Sequence, residues 1–256
     1  MQIFSKKEAV NVGWELTKTN LGFLIIMYVI YLGVSVVIGG LQGVIEGFIG
    51  KGLLSFNITI ISFFLSLLLT LGMIKIFLDL YDGKKGELSD LFSSYEKYFD
   101  YLLCSLLVAL IIVGGVILLI VPGIIWALKY QFAPYLIVDK KMKAIDAIKL
   151  SGKITYGHKI NLFLLALLVI GIMIQGFFAC CIGVIPAGFI ANFAYIHVYR
   201  KLLADYESAN QTNIRNSVAE SPVTPEETAV LAPENTENSA PIEEPKTPEN
   251  PVPPAQ

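Results

Sequence analysis

Lys129 is the residue whose chemistry fits its surroundings least, because it stands inside an apolar run at 123–138, beside Tyr130 and Gln131. A lysine at that depth in an apolar medium costs about 2.5–3.5 kcal/mol and usually lines a cavity or meets a partner. Two readings stay open. Lys129 and Gln131 form an anion or headgroup site facing the bundle interior, with Glu46 as its acidic partner. Alternatively, a short helix lets the Lys129 side chain reach the outer headgroups. A second pattern is the hydroxyl row Ser55, Thr59, Ser62, Ser66 and Thr70, whose steps of three and four place it on one helix face. Such a row either lines a polar path or bonds back to its own helix carbonyls. Near the inner end of the same run, Lys75 and Asp79 at i, i+4 look like a boundary ion pair. A third is Gly39, Gly43 and Gly47, a small-residue face suited to close helix packing, within the subunit or between copies, or to a flexible hairpin.

The remaining reactive residue types give no site. His158 and His197 have no partner at metal-ligand or triad spacing, and no Walker loop, GxSxG or HExxH motif occurs. Cys104, Cys180 and Cys181 lie in apolar runs, where small apolar side chains are their ordinary role. The expectation is a chain without catalytic residues, metal or cofactor, and hence not an enzyme.

Composition sets the elements that would position these residues. The chain of 256 residues is 55% apolar and 16% charged, with a mean hydropathy of +0.65. Soluble domains carry about 25% charged residues. The charge is also segregated: nine of the 21 acidic residues and nine of the 12 prolines lie beyond residue 206, where glycine and aromatics are absent. These features exclude a soluble enzyme, a disulfide-rich domain and a nucleic-acid binder. They divide the chain into a polytopic membrane domain, 1–206, and a disordered, acidic, proline-rich cytoplasmic tail, 207–256.

A hydrocarbon core of about 30 Å needs about 20 helical residues. Runs at 21–41, 53–80, 101–121 and 160–182 meet that length, and shorter runs at 123–138 and 185–203 follow Pro122 and Pro186. The first run is too long for a cleavable signal core and is read as an uncleaved anchor. The fold expected is all-α, with six transmembrane helices in three hairpins. With the amino terminus inside, Lys6, Lys7, Lys84, Lys85, Lys140, Lys141 and Lys143 fall on inner segments and only Lys51 on an outer one. That asymmetry places both ends in the cytoplasm.

Each hairpin is expected to follow a cytoplasmic interfacial amphipathic helix. Ser5 and Glu8 fit a capping box, and Glu8, Asn11, Glu15 and Lys18 form a polar stripe. Leu88, Leu91, Phe92, Tyr95, Phe99 and Leu102 form the apolar face of the second helix, opposite Asp90, Ser94 and Lys97, and Asp146, Lys149 and Lys153 mark the polar face of the third. A shift of 138 residues matches Ala9 with Ala147, Thr17 with Thr155, Leu24 with Leu162 and Gly33 with Gly171; a shift of 64 matches Pro122 with Pro186. The unit is thus used repeatedly in one orientation, unlike the inverted repeats of many transporters.

The stretches Val121-Pro122-Gly123-Ile124-Ile125, Tyr130 through Asp139 and Ala144 through Ser151 resemble a signature of prokaryotic six-helix integral membrane proteins. That family, mostly without assigned activity, is similar to the membrane domain fused to some glycerophosphodiester phosphodiesterases. The resemblance implies a plasma membrane location in a prokaryote and carries over no catalytic residue. The expected role is non-catalytic, binding lipids or membrane partners, with self-association among the options and Lys140, Lys141 and Lys143 as headgroup contacts. The alternative is a transporter or channel for a small or amphiphilic solute.

Overall fold

The computed structural model describes residues 4–49, 53–90, 95–178 and 183–220. Its helices are α1 (Lys6–Thr19), α2 (Leu21–Ile49), α3 (Leu53–Tyr81), α4 (Tyr98–Leu118), α5 (Ile120–Tyr130), α6 (Ala133–Lys140), α7 (Ala144–Ile154), α8 (Lys159–Phe178) and α9 (Val184–Glu220), with one 3-10 turn at Tyr95–Lys97. Among the described residues there is no strand. Met1–Gln211 forms one compact unit and Thr212–Gln256 a second. α9 stays helical beyond residue 206, where the sequence placed the start of a disordered tail, and residues 221–256 lie outside the described residues.

Among the described residues, five helical stretches are long and apolar enough to cross a membrane: Leu21–Phe48, Phe56–Tyr81, Tyr95–Leu118, Ile120–Lys140 and Lys159–Phe178. The sixth run, 185–203, falls in α9. That part of α9 is the centre of the core, with Phe193, Ile196 and Tyr199 fully buried. Around it pack Leu71, Ile76 and Phe77 of α3, and Phe132, Leu136 and Ile137 at and along α6. The rings of Phe77 and Phe193 meet edge to face at 5.1 Å.

The fourth apolar run is longer than expected and is broken. Pro134 has no N–H to offer the Tyr130 carbonyl, so α5 stops and α6 restarts after Gln131 and Phe132. The corner before it lies at Leu119, in extended conformation at φ −169°, rather than at Pro122. Pro122 is the third residue of α5 and Pro186 the third of α9, positions whose N–H would have no intrahelical partner. Close packing of α4 on α5 needs glycine: a methyl group at Gly115 would lie 2.9 Å from the Gly123 Cα.

The first and third of the expected amphipathic helices are present among the described residues. In α1, Ala9, Gly13 and Thr17 are buried at four-residue spacing, while Glu8, Asn11, Glu15 and Lys18 are exposed. In α7, Ala144, Ala147, Ser151 and Ile154 are buried, and Asp146, Lys149 and Lys153 are exposed. The repeat holds at its matched positions. Ala9 and Ala147, Thr17 and Thr155, and Leu24 and Leu162 are all buried, and Gly33 and Gly171 both face open space. The Thr17 hydroxyl donates to the Gly13 carbonyl at 2.7 Å, and the Thr155 hydroxyl to that of Ser151 at 2.8 Å.

The capping box forms in part: Ser5 makes no side-chain cap bond, while the Glu8 carboxylate meets the Ser5 backbone N–H and also accepts from the Lys201 ammonium at 2.7 Å, a charge-assisted bond. The middle of the second amphipathic helix, 91–94, lies outside the described residues; at its flanks Asp90 is helical, Tyr95–Lys97 form the 3-10 turn, and Leu88, Tyr95 and Phe99 are exposed rather than packed. Leu91, Phe92 and Ser94 lie outside the described residues, as do Cys180, Cys181 and Lys51.

Candidate functional site

The polar groups gather at the end of the bundle where α3, α6 and α9 finish their packed stretch. Arg200 projects from α9 between the other two. Its Nη1 donates to Asp139 Oδ2 at 2.8 Å and its Nη2 to Asp82 Oδ2 at 2.6 Å. The Tyr199 hydroxyl donates to the same Asp139 oxygen at 2.7 Å. The planar guanidinium has parallel donors, so one side chain can hold carboxylates from two other chain segments. Its own Nε is buried without a partner among the described residues.

A second group flanks this clasp. Tyr81 Oη and His197 Nδ1 are 2.9 Å apart, and His197 Nε2 lies 3.7 Å from Glu8 Oε1. The Lys201 ammonium beside Glu8 holds its carboxyl below the usual glutamate range. A third group is the boundary pair expected from i, i+4 spacing: Lys75 Nζ lies 2.5 Å from Asp79 Oδ2, and Lys84 approaches the other oxygen at 3.1 Å. The Asp79 carboxylate in turn pushes the Lys84 pKa up. Lys75, Asp79, Asp82, Lys84, Asp139 and Lys141 line a cavity of ≈ 320 Å³ together with Lys97 and Glu96. Most of its charges are already matched, so the cavity is a neutralised junction rather than an open anion site.

The intramembrane trio is not assembled. Lys129 lies at the end of α5, with its Nζ 5.0 Å from the centre of the Tyr130 ring, and its side chain crosses α7 at Gly152. Its Nζ meets no carboxylate among the described residues. The Lys129 carbonyl, freed by the helix break, accepts a hydrogen bond from Ser151 at 2.9 Å and shares the Thr155 hydroxyl, 3.1 Å away, with the Ser151 carbonyl. Gln131 Nε2 is buried without a partner among the described residues. Glu46 is instead 3.3 Å from Gln42 on its own helix, and Gln42 also donates to Thr59 at 3.0 Å. The hydroxyl row bonds largely to its own helix: Ser62 to Ile58, Ser66 to Phe63 and Thr70 to Ser66, each at 2.8 Å. The Ser55 side chain lies outside the described residues.

Lys140, Lys141 and Lys143 are exposed on the α6–α7 loop, with Lys140 3.0 Å from Glu207. Lys141 takes the left-handed conformation, φ 51°, that closes α6. Gly39, Gly43 and Gly47 face open space, so packing within the subunit through them is absent. The close approaches use other glycines. A methyl group at Gly13 would lie 2.5 Å from the Ile190 carbonyl oxygen, and one at Gly176 2.7 Å from that of Gly183.

One apolar groove completes the set. It has a volume of ≈ 490 Å³ and lies between α1, α2 and the start of α9, walled by Leu21, Ile25, Val29, Ile185 and Phe189, with Trp14 and Lys18 at one end. The Lys18 ammonium stands 5.5 Å above the Trp14 ring and 2.9 Å from Glu15.

With this geometry in place, similarity to other proteins gives a class. The chain is 38% identical over 60 residues to a UPF0259 membrane protein of Pectobacterium carotovorum, covering 23% of this chain and 22% of that one. The chain is a membrane protein. It is also 30% identical over 152 residues to an uncharacterized protein of Mycobacterium bovis, covering 59% of this chain, and equally to one of Mycobacterium tuberculosis. The chain spans about half the length of these two relatives, 46%. No family model matches, and no solved structure matches.

Sequence reasoning found the Lys75–Asp79 pair and missed the Arg200 clasp. Arg200 and Asp82 are 118 residues apart, and no local spacing relates them. The available signal was that Asp82, Asp139 and Arg200 each end an apolar run, where charged side chains converge if the runs pack together.

Proposed function

We propose that the chain is a non-catalytic, multi-pass protein of a prokaryotic inner membrane, with both ends cytoplasmic, and that it holds lipid. The groove carries this reading. Its wall from Leu21 to Val29 covers about 12 Å at 1.5 Å per residue, against about 15 Å for half a hydrocarbon core. That is the depth of one leaflet, lined to accept one acyl chain. Trp14 and Lys18 stand at the groove's end as residues of the headgroup boundary do, an indole beside a cation. The exposed lysines of the α6–α7 loop add attraction for anionic headgroups. The likeness to six-helix membrane proteins, including the domain fused to some phosphodiesterases, belongs to the same reading.

Mass spectrometry of the gently extracted protein tests it. A co-purifying phospholipid is expected, and Ile25→Trp, which fills the groove from an exposed position, should reduce its occupancy at least fivefold with unchanged expression. Extraction free of lipid, or equal occupancy in the variant, contradicts the proposal.

A further inference from the structure

We infer that Lys129, Lys149 and Lys153 form a binding site for a phosphate group where Lys129 crosses α7 at Gly152. The phosphate belongs to a lipid headgroup or to a small soluble compound. None of these residues lines the groove of α1, α2 and α9, so the site stands whether or not that groove holds lipid.

The first observation is how Lys129 is held. α5 ends at Tyr130, and the Ser151 hydroxyl of α7 donates to the Lys129 carbonyl at 2.9 Å, with the Thr155 hydroxyl 3.1 Å away. The backbone of this lysine is thus tied to α7. Its side chain then passes over α7 at the one position there without a side chain. A methyl group at Gly152 would lie 2.9 Å from the Lys129 Cε, 3.8 Å from its Nζ and 3.7 Å from the Tyr130 ring. The ammonium stands 5.0 Å from the centre of that ring. A four-carbon stem placed in advance loses less freedom when a ligand arrives.

The second observation is what stands beside it. At about 100° per residue, Lys149 lies about 60° and Lys153 about 100° round α7 from Gly152, both in the same sense. Both are exposed. Their flexible stems let the two ammonium groups close on an anion held by the third. Ile145 and Tyr156, also exposed, border the lysines on α7 and the turn after it. A lipid would cover that apolar surface, and free phosphate would leave it bare. Charged side chains in membrane proteins face water or the protein interior, so this face of α7 is open to headgroups or solvent.

The third is the charge balance. Lys75, Lys84, Lys140, Arg200 and Lys201 each meet a carboxylate at 3.1 Å or less. Lys129, Lys149 and Lys153 meet none among the described residues. Residues 141–159 hold five lysines and one acidic residue, Asp146, which is exposed and pairs with none of them among the described residues. Unmatched ammonium groups brought together repel one another, and an anion of more than one charge relieves that repulsion. A phosphate group supplies the charge and several acceptor oxygens, and lysine binds it as a point charge. The cavity lined by Lys75 and Asp79 is the opposite case, because its cations are matched within the protein.

The test is calorimetric titration of the full-length protein in non-ionic detergent at low salt, with inorganic phosphate and with dihexanoyl phosphatidic acid. The parent should bind at least one probe. Lys129→Gln, and separately Lys149→Gln with Lys153→Gln, should each weaken that binding at least tenfold. Gly152→Val should do the same by displacing the Lys129 ammonium while every lysine remains, which a loss of net charge does not explain. Lys85→Gln, an exposed lysine elsewhere, and Ile25→Trp, which fills the groove, should leave the affinity within about twofold of the parent. Lys149 and Lys153 are exposed, so that pair of changes keeps the fold and decides the matter even if Lys129→Gln melts early. Phosphatidic acid binding at least tenfold tighter than inorganic phosphate supports a headgroup site, and any smaller preference supports a soluble phosphate. Binding of neither probe at millimolar concentration, equal binding by the α7 double variant, or an equal loss in Lys85→Gln or Ile25→Trp overturns the inference.

Discussion

Arg200→Leu is expected to lower the thermal midpoint of the detergent-purified protein by about 6–12 °C. The guanidinium is the cation between Asp82 and Asp139, and its side chain is 24% exposed, with the two carboxylates at 32% and 14%. Removing one partner of a largely buried ion pair costs about 3–5 kcal/mol, because the remaining charge is left without compensation. The lower end of that range applies here, since Asp82 keeps access to solvent. About 3 kcal/mol corresponds to the stated shift for a chain of this size. Arg200→Lys should recover less than half of it, because an ammonium lacks the two parallel donors that reach separate carboxylates. A leucine variant melting within 2 °C of the parent would show that the clasp contributes nothing to holding α3, α6 and α9 together.

The second large effect is expected at Gly13. A side chain there meets the Ile190 carbonyl oxygen at 2.5 Å, and a backbone atom inside a packed helix cannot move aside as a flexible side chain can. Gly13→Val should force α1 away from α9 and cost about 1–3 kcal/mol, the usual range for overpacking. Limited trypsin digestion reads this directly, since Lys6, Lys7 and Lys18 border or lie on α1. The variant should lose residues 1–18 at least ten times faster than the parent. Gly39→Ala gives the contrast. Nothing lies within 4 Å of its methyl group, and alanine is the better helix former by about 1 kcal/mol. Equal digestion of the Gly13 variant and the parent would contradict the lengthwise packing of α1.

These two sites also show what the sequence discloses. Apolar runs and the stripes of α1 and α7 follow from local spacing, and they are legible because period and composition act within a few turns; the prolines mark helix starts, while the corner itself falls at Leu119. The repeat is legible too, since Ala9, Thr17 and Leu24 reappear as buried residues 138 positions later. What escapes is anything decided by which helices meet. Gly39, Gly43 and Gly47 look like a packing face and touch nothing, whereas single glycines at 13, 115, 123 and 176 carry the close approaches. A glycine needs a crossing backbone to give it a role, and spacing along one helix does not supply it. Lys129 is similar. Its position suggested a charge seeking a partner, but the structural work is done by its carbonyl, which the break before Pro134 leaves open to Ser151 and Thr155.

The proposed topology places the apolar helices in lipid with the lysine-rich loops on one side. Trypsin digestion of sealed inside-out and right-side-out membranes, read by mass spectrometry, tests this most directly. Inside-out vesicles should be cut at Lys84, Lys85 and the 140–143 loop, and right-side-out vesicles at Lys51 alone. Cleavage of the 140–143 loop in intact right-side-out vesicles would contradict the account.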